Sequence, residues 1–172
     1  MLQIRPIAED EIDAVARVHV RSWQSGYAGI VPEEFLASLD PADFAARRRY
    51  TAVPPGGGAM CAVDDGRVVG HAVFGPYRPE KDVVDPSMGE LYSIYVDPGQ
   101  WGNGTGHRLF ATARERLAAA GFPGMRLWVL EENHRARRFY ERQGMSPDGE
   151  REVWIPRGHT VELPELRYAM AL

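Results

Sequence analysis

The spacing of apolar positions changes several times along the chain, and each change marks an element. LQIRPI opens as a strand. Over EDEIDAVARVHVRSW, Ile12, Val15, Val18 and His19 recur at helical spacing, which predicts an amphipathic helix. GYAGIVPEEFLASLD predicts a turn and a short helix, with Pro32 suited to a first-turn position where a missing N–H breaks no bond. PADFAARRRYTAV predicts a further helix, stopped by VPPGGG. In AMCAVDDGRVVGHAVFGPY two apolar runs flank Asp65-Gly66, a dipeptide that accepts the positive φ of a tight hairpin turn. RPEKDVVDPSMG reads as a polar loop. ELYSIYV, beginning at Glu90, reads as a strand rich in aromatic and branched residues.

The second half alternates in the same manner. GHRLFATARERLAAAG places Leu109, Phe110, Ala113 and Leu117 on one helical face, with Gly121 where a C-terminal cap belongs. MRLWVLE predicts a strand, and NHRARRFYERQG a helix bounded by Asn133 and Gly144. EVWIP and PELRYAMAL predict two last strands. The order β-α-α-α-β-β-β-α-β-α-β-β predicts a mixed α/β sheet of about seven strands. The length suits one domain over residues 1–172.

Between strand and helix lies VDPGQWGNGTGHRLF, with four glycines in eight residues. Each glycine loses more backbone entropy on folding than any other residue, so the density implies a backbone task. A dinucleotide fingerprint, G-x-G-x-x-G, fails in both registers, because His107 and Leu109 stand where the last glycine is required. A phosphate loop ending in Gly-Lys-Ser/Thr fails because Lys81, the one lysine, is elsewhere. Two readings stay open on the glycines alone. One is a plain strand-to-helix turn. The other is a helix N-terminus whose unpaired amides and dipole bind a pyrophosphate.

A later segment adds weight to the second. In N-x-x-A-x-x-F-Y-x-x-x-G, Asn133, Ala136 and Tyr140 fall at i, i+3 and i+7, on one helical face. Alanine leaves room for a ligand to lie along the helix, Asn offers a donor and an acceptor, and Tyr offers a hydroxyl. Taken singly, Asn133 is also a good N-cap and Tyr140 a good core aromatic.

Composition removes several classes. A net charge of −4 does not provide a broad electrostatic grip on nucleic acid. No run of about eighteen apolar residues is present, so no membrane-spanning helix is expected. The first residues, MLQIRPIAEDE, contain no apolar signal core, and a cytoplasmic setting is the default expectation. Cys61 is the one cysteine and lies in the apolar run AMCAV, as a small core residue would. The five histidines show no H-x-x-x-H spacing, so no metal is expected.

From Gly89 to Gly144 the chain resembles the GNAT superfamily of acyl-CoA-dependent N-acyltransferases, and the strand order extends the resemblance over nearly the whole chain. It implies a mostly antiparallel sheet of about seven strands, about four or five flanking helices, acetyl-CoA as cofactor, and acetylation of a primary amine on a small molecule or peptide. The family's Q/R-x-x-G-x-G/A pyrophosphate loop falls on Trp101, Gly102, Asn103, Gly104, Thr105 and Gly106, followed by His107. Trp101 departs from the family's Gln or Arg, and Gln100 stands one residue early, so the resemblance carries main-chain contacts rather than a side-chain contact there. The preceding strand, Ile94, Tyr95 and Val96, falls where the family bonds the pantetheine amides. Asn133 and Ala136 fall on the cofactor-contacting helix. Tyr140 matches the tyrosine that can protonate the departing thiolate. A homodimer is left open by the family's habits.

Chemistry adds further candidates. An alkylamine is mostly protonated at neutral pH and must lose a proton before it attacks. Glu90, read as opening its strand, is the first candidate base, with an exposed strand-end carboxylate as the alternative. His71, His107 and Glu131 follow. A main-chain amide near Val96 is placed to stabilise developing negative charge on oxygen. The acceptor is expected between the Trp23 to Tyr27 region, the Gly75 to Met88 segment that carries Tyr77, and Glu90. Aromatic faces attract cations there, and Glu33, Glu34, Asp82 and Asp85 lie in the same segments. Competing readings are a non-catalytic coenzyme A sensor and a protein N-terminus or aminoacyl-tRNA acetylase, the last disfavoured by the acidic balance.

Overall fold

The computed structural model describes the backbone of residues 1–172 and every side chain except that of Tyr50. β1 (Gln3–Pro6) leads through a short turn into α1 (Ile12–Gly26), followed by α2 (Glu33–Ala37) and α3 (Pro41–Tyr50). β2 (Gly58–Asp64), β3 (Arg67–Tyr77) and β4 (Asp85–Val96) form a meander. Then come α4 (Thr105–Ala119), β5 (Gly124–Leu130), α5 (His134–Arg142), β6 (Ser146–Trp154) and β7 (Leu163–Ala171). The β2–β3 turn sits on Asp65 and Gly66 at φ 46° and 78°, the doubly positive conformation that the dipeptide predicts.

The seven strands form one sheet in the order β1-β2-β3-β4-β5-β7-β6. Every neighbouring pair is antiparallel except β4 and β5, which run parallel. The fold is thus the mixed α/β sheet with five helices that the order of elements predicts. α4 covers one face: Leu109, Phe110, Ala113 and Leu117 are at most 1% exposed and pack on Met60, Ala72, Phe74, Leu91 and Leu127. Each large side chain so buried contributes about 1.5–3 kcal/mol of transfer free energy. α1 lies on the opposite face, where Val15 meets Cys61 and Val63. Burial pushes the Cys61 thiol up to about 11, consistent with a core residue.

Two boundaries differ from the sequence reading. β4 starts at Asp85 rather than Glu90, and β3 runs to Tyr77, so Glu90 lies mid-strand and the polar loop shrinks to residues 78–84. β6 starts at Ser146 rather than near Glu152. Both extensions are solvated: all but the last residue of β6 is exposed, and the first residues of β4 are nearly so. A strand with no buried face leaves no two-residue alternation to read.

Candidate active site

β3 and β4 pair regularly up to a bulge, where Val73 faces Ser93 and Phe74 faces Leu91, leaving Tyr92 as the extra residue. A bulge bends its strand and sharpens the twist. Beside it, β4 and β5 pair only at Gly89 with Met125 and Glu90 with Arg126. Beyond Glu90 the two strands diverge, and a cavity of about 660 Å³ opens between them. The β5-facing main-chain groups of Leu91 to Val96 therefore have no ladder partner. Ile94, Tyr95 and Val96 line this gap.

The glycine stretch closes one end. The Trp101 indole N–H donates to the Val96 carbonyl at 2.9 Å, and the ring lies under the Arg135 guanidinium, 3.6 Å from its centroid. These contacts pin the loop to the strand end. Gly102 and Gly104 both adopt φ 82°, and nothing stands within 4 Å of where a Cβ would be. The first bond of α4 runs from the Arg108 N–H to the Gly104 carbonyl at 3.1 Å. The amides of Thr105, Gly106 and His107 precede that ladder and lack a protein partner among the described residues. With the helix dipole behind them they form an anion cradle. Arg135 and Arg142 add positive charge to the lining, and His107 Nδ1 pairs with Gln143 Oε1 at 2.8 Å.

Along α5, the Asn133 Oδ1 accepts from the Ala136 N–H at 3.1 Å, so Asn133 is the cap that its type predicts. It also lines the cavity, as do Ala136 and Tyr140. The Tyr140 ring packs against Phe110, Phe139 and Tyr168. Burial raises its phenol above the ordinary value, so it stays protonated at neutral pH.

The other end is aromatic and acidic. Trp23 on α1 and Tyr27, which caps that helix, meet at 4.9 Å, and Trp23 meets Trp154 edge-on at 5.7 Å. The Tyr27 and Tyr95 hydroxyls lie 3.4 Å apart. Glu90 is 6% exposed, and its Oε2 accepts from the Arg78 N–H at 2.7 Å. Burial raises its carboxyl to about 6. Glu165, opposite Glu152 across β6 and β7, also lines the cavity. Burial, and the neighbouring Glu152 carboxyl, hold its carboxyl well above the usual carboxylate range.

Several predicted residues fall elsewhere. Tyr77 is outside the lining: it is 4% exposed, its hydroxyl accepts from Arg167 at 3.0 Å, and Arg126 lies 4.8 Å over its ring. Its place at the end of β3 holds it in the sheet, beside Arg126 of β5 and Arg167 of β7. Asn103 points to Gln100 at 3.2 Å, and Thr105 is 2% exposed in the core; neither side chain lines the cavity. Glu33, Glu34, Asp82 and Asp85 are also outside it. Glu131 pairs with Arg151 at 2.8 Å, and His71 is buried behind the aromatic wall.

Sequence reasoning missed Arg135, Arg142, Gln143, Trp154 and Glu165. Gln143 continues the Asn133–Ala136–Tyr140 spacing by another three residues and could have been found that way. Trp154 and Glu165 arrive from distant strands, with no local signal. Among the described residues, no group of three or more His, Cys, Asp or Glu side chains could hold a metal ion. No described helix is long and apolar enough to cross a membrane.

Comparison with known proteins places this geometry in context. Residues 18–145 match the acetyltransferase (GNAT) family. The chain is 36% identical over 134 residues to an uncharacterized N-acetyltransferase, YuaI, of Bacillus subtilis, covering 77% of this chain and 74% of that one. It is 27% identical over 171 residues to a probable N-acetyltransferase, Rv2775, of Mycobacterium tuberculosis, covering 98% and 93%. The fold is similar to that of the PaiA N-acetyltransferase of Thermoplasma acidophilum, solved with coenzyme A. There the TM-score is 0.76 at 18% identity, with 100% and 99% of the two chains covered. It is also similar to YncA of Salmonella typhimurium, a putative acetyltransferase solved with acetyl-CoA. That comparison gives a TM-score of 0.72 at 18% identity over 99% and 93%.

Proposed function

The chain belongs to the GNAT family of acetyltransferases, and from that premise we propose that it carries the acetyl group of acetyl-CoA directly to a primary amine on a small molecule or peptide. The enzyme class, acyltransferase, follows from the family; the acceptor and the residue roles are our reading. The observation that supports it is the order of groups along one cavity: unpaired helix amides at one end, Tyr140 along the wall, and Glu90 among aromatic rings at the other.

The residues present fit acetyl-CoA. The open space over Gly102 and Gly104 admits phosphate oxygens to the amides of Thr105, Gly106 and His107, with Arg135 and Arg142 beside them. The free edge of Ile94, Tyr95 and Val96 suits the pantetheine amides. Ala136 leaves space beside it, and Asn133 retains its Nδ2. Trp101 acts through the Val96 carbonyl and Arg135, as a brace for the loop. When bound, acetyl-CoA supplies an acetyl group activated as a thioester.

The chain's own groups manage the protons. Glu90, ionised above about pH 6, receives a proton from the incoming ammonium, directly or through water. Tyr140 holds a proton on its hydroxyl oxygen for a departing sulfur, whose conjugate acid has a pKa of about 8.5. A main-chain amide near Val96 faces the carbonyl oxygen as charge grows there. Trp23, Tyr27, Tyr95 and Glu165 offer a cationic acceptor π-faces and a carboxyl group.

The direct test incubates purified protein and acetyl-CoA with a panel of primary amines and follows thiol release. At least one primary amine should release thiol, and tertiary amines of the same shape should not. Tight acetyl-CoA binding with no release across the panel would instead favour a sensor domain.

Glu90→Gln separates the base from mere structure. The variant should lose about a hundredfold in kcat/KM, the lower end of the general-base range because water can relay a proton. The wild-type fall in activity below about pH 6 should flatten. Stability should move the other way. A carboxyl raised from 4.5 to about 6 on folding destabilises the native state once it ionises, by about 2 kcal/mol above pH 6 and by nothing below pH 4.5. Thermal melts should therefore show Glu90→Gln more stable than wild type at pH 8 and equal to it at pH 4. An unchanged pH–rate profile would remove Glu90 from the proton path.

A further inference from the structure

A second cavity of about 210 Å³ lies between α1, α3 and β3, outside the acetyl-CoA cavity. Its floor is apolar, from Ile12, Val15, Phe44 and Val73. Its polar groups are His19, His71, Ser93, Thr51, Arg47 and Arg48. Among the described residues no carboxylate lines it, although the protein as a whole carries a net charge of −4.

These polar groups are not satisfied by the protein. His71 is 3% exposed, and neither of its ring nitrogens has a hydrogen-bond partner among the described residues. The Nε2 of His19 is also buried without one, and the two imidazoles stack at 5.3 Å and 17°. A buried polar atom left unpaired is costly. Three such ring nitrogens at one cavity point to something that fills it. The guanidiniums narrow the choice. Arg49 pairs with Asp13, and Arg47 is engaged over the Phe44 ring and with the Asp43 carbonyl. Arg48 is half-buried with no hydrogen bond or ion pair among the described residues. Burial holds both imidazoles below their ordinary values, so they are neutral and each offers one N–H and one acceptor.

We propose that this cavity is a second ligand site, for a short-chain aliphatic carboxylate whose head group meets Arg48 and the His71 imidazole and whose tail lies on Val15, Phe44 and Val73. The fork of Arg48, which has no hydrogen-bond partner among the described residues, matches the two oxygens of a carboxylate, and Arg47, held over Phe44 without an ion pair, adds to the positive field. The apolar floor favours a short hydrocarbon tail over a bare ion. Ser93 lines both cavities, and His19 packs against Trp23 and Tyr95 of the acceptor side. Occupancy therefore reaches the acceptor wall from behind.

The probe is butyrate, added to the full chain labelled with ¹⁵N at histidine. The His71 and His19 resonances should shift and saturate at a roughly millimolar dissociation constant, the scale expected of a ligand of so few atoms. n-Butylamine, the same tail with the opposite charge, should leave them in place, and inorganic phosphate should compete poorly. Arg48→Gln, a substitution on a half-exposed helix position, should weaken butyrate by about tenfold or more, the loss of a charge-assisted hydrogen bond. Saturating acetyl-CoA should not displace it, so the result stands or falls apart from the reading of the larger cavity. Non-saturating shifts, equal shifts with n-butylamine, equal affinity for phosphate, undiminished binding to Arg48→Gln, or displacement by acetyl-CoA would each overturn the assignment.

Discussion

Gly104→Val is expected to reduce acetyl-CoA affinity by at least about a hundredfold in calorimetry, because two or more charge-assisted amide bonds, each worth about 1.5–3 kcal/mol, are lost together. Gly104 is the N-cap of α4 at φ 82°, with empty space where a Cβ would stand. That space is where an anion must approach to reach the amides of the first turn. A valine there fills the approach and also strains the left-handed conformation by about 1–2 kcal/mol. Strain alone could mimic a binding defect, and Gly66→Val controls for it. Gly66 has φ 78° and equally open surroundings, but it lies in the β2–β3 turn, away from the cavity. The two variants should lose similar stability, and only Gly104→Val should lose acetyl-CoA. Equal affinity in both would place the pyrophosphate elsewhere.

Tyr140→Phe is expected to slow acetyl transfer by about 10²–10⁴-fold, the usual loss on removing a general acid, with acetyl-CoA affinity nearly unchanged. The ring keeps its packing on Phe110, Phe139 and Tyr168, since only the hydroxyl is removed. Burial keeps that hydroxyl protonated across the working pH range, so the acid limb of the rate profile belongs to Glu90 and not to Tyr140. The decisive measurement is single-turnover thiol release with a competent amine. A variant that turns over at the wild-type rate would mean that water protonates the sulfur.

Legibility in the sequence followed burial. α1 and α4 were readable because Val15, Val18, Leu109 and Leu117 each face a core, and one-sided burial imposes a period. The β2–β3 hairpin was readable because Asp65-Gly66 encodes its own turn. β6 was readable only at its end, since solvent on both faces imposes no pattern. The same logic divides the site. Gly102, Gly104, Asn133 and Tyr140 announce themselves because one loop and one helix carry them in sequence. Glu165 and Trp154 do not, because the sheet order β5-β7-β6 brings them in from the end of the chain. Tyr77 was misplaced for a related reason: the side chains that clamp it, Arg126 and Arg167, come from β5 and β7, far along the chain.

An open sheet ordinarily has two borders, its first and last strands. This one has inner borders as well, where β4 and β5 part after a short seam at Gly89 and Glu90. A strand border is indiscriminate: any extended chain can zip onto it, which is why exposed borders invite aggregation. Here the inner border is recessed in a cleft of about 660 Å³, lined by side chains from α1, α5 and the flanking strands. Recess turns a general hazard into a size filter. The β5-facing main-chain groups between Leu91 and Val96 are withheld from neighbouring proteins, and in our reading they are left to a slender thread of amides with no side chains at all.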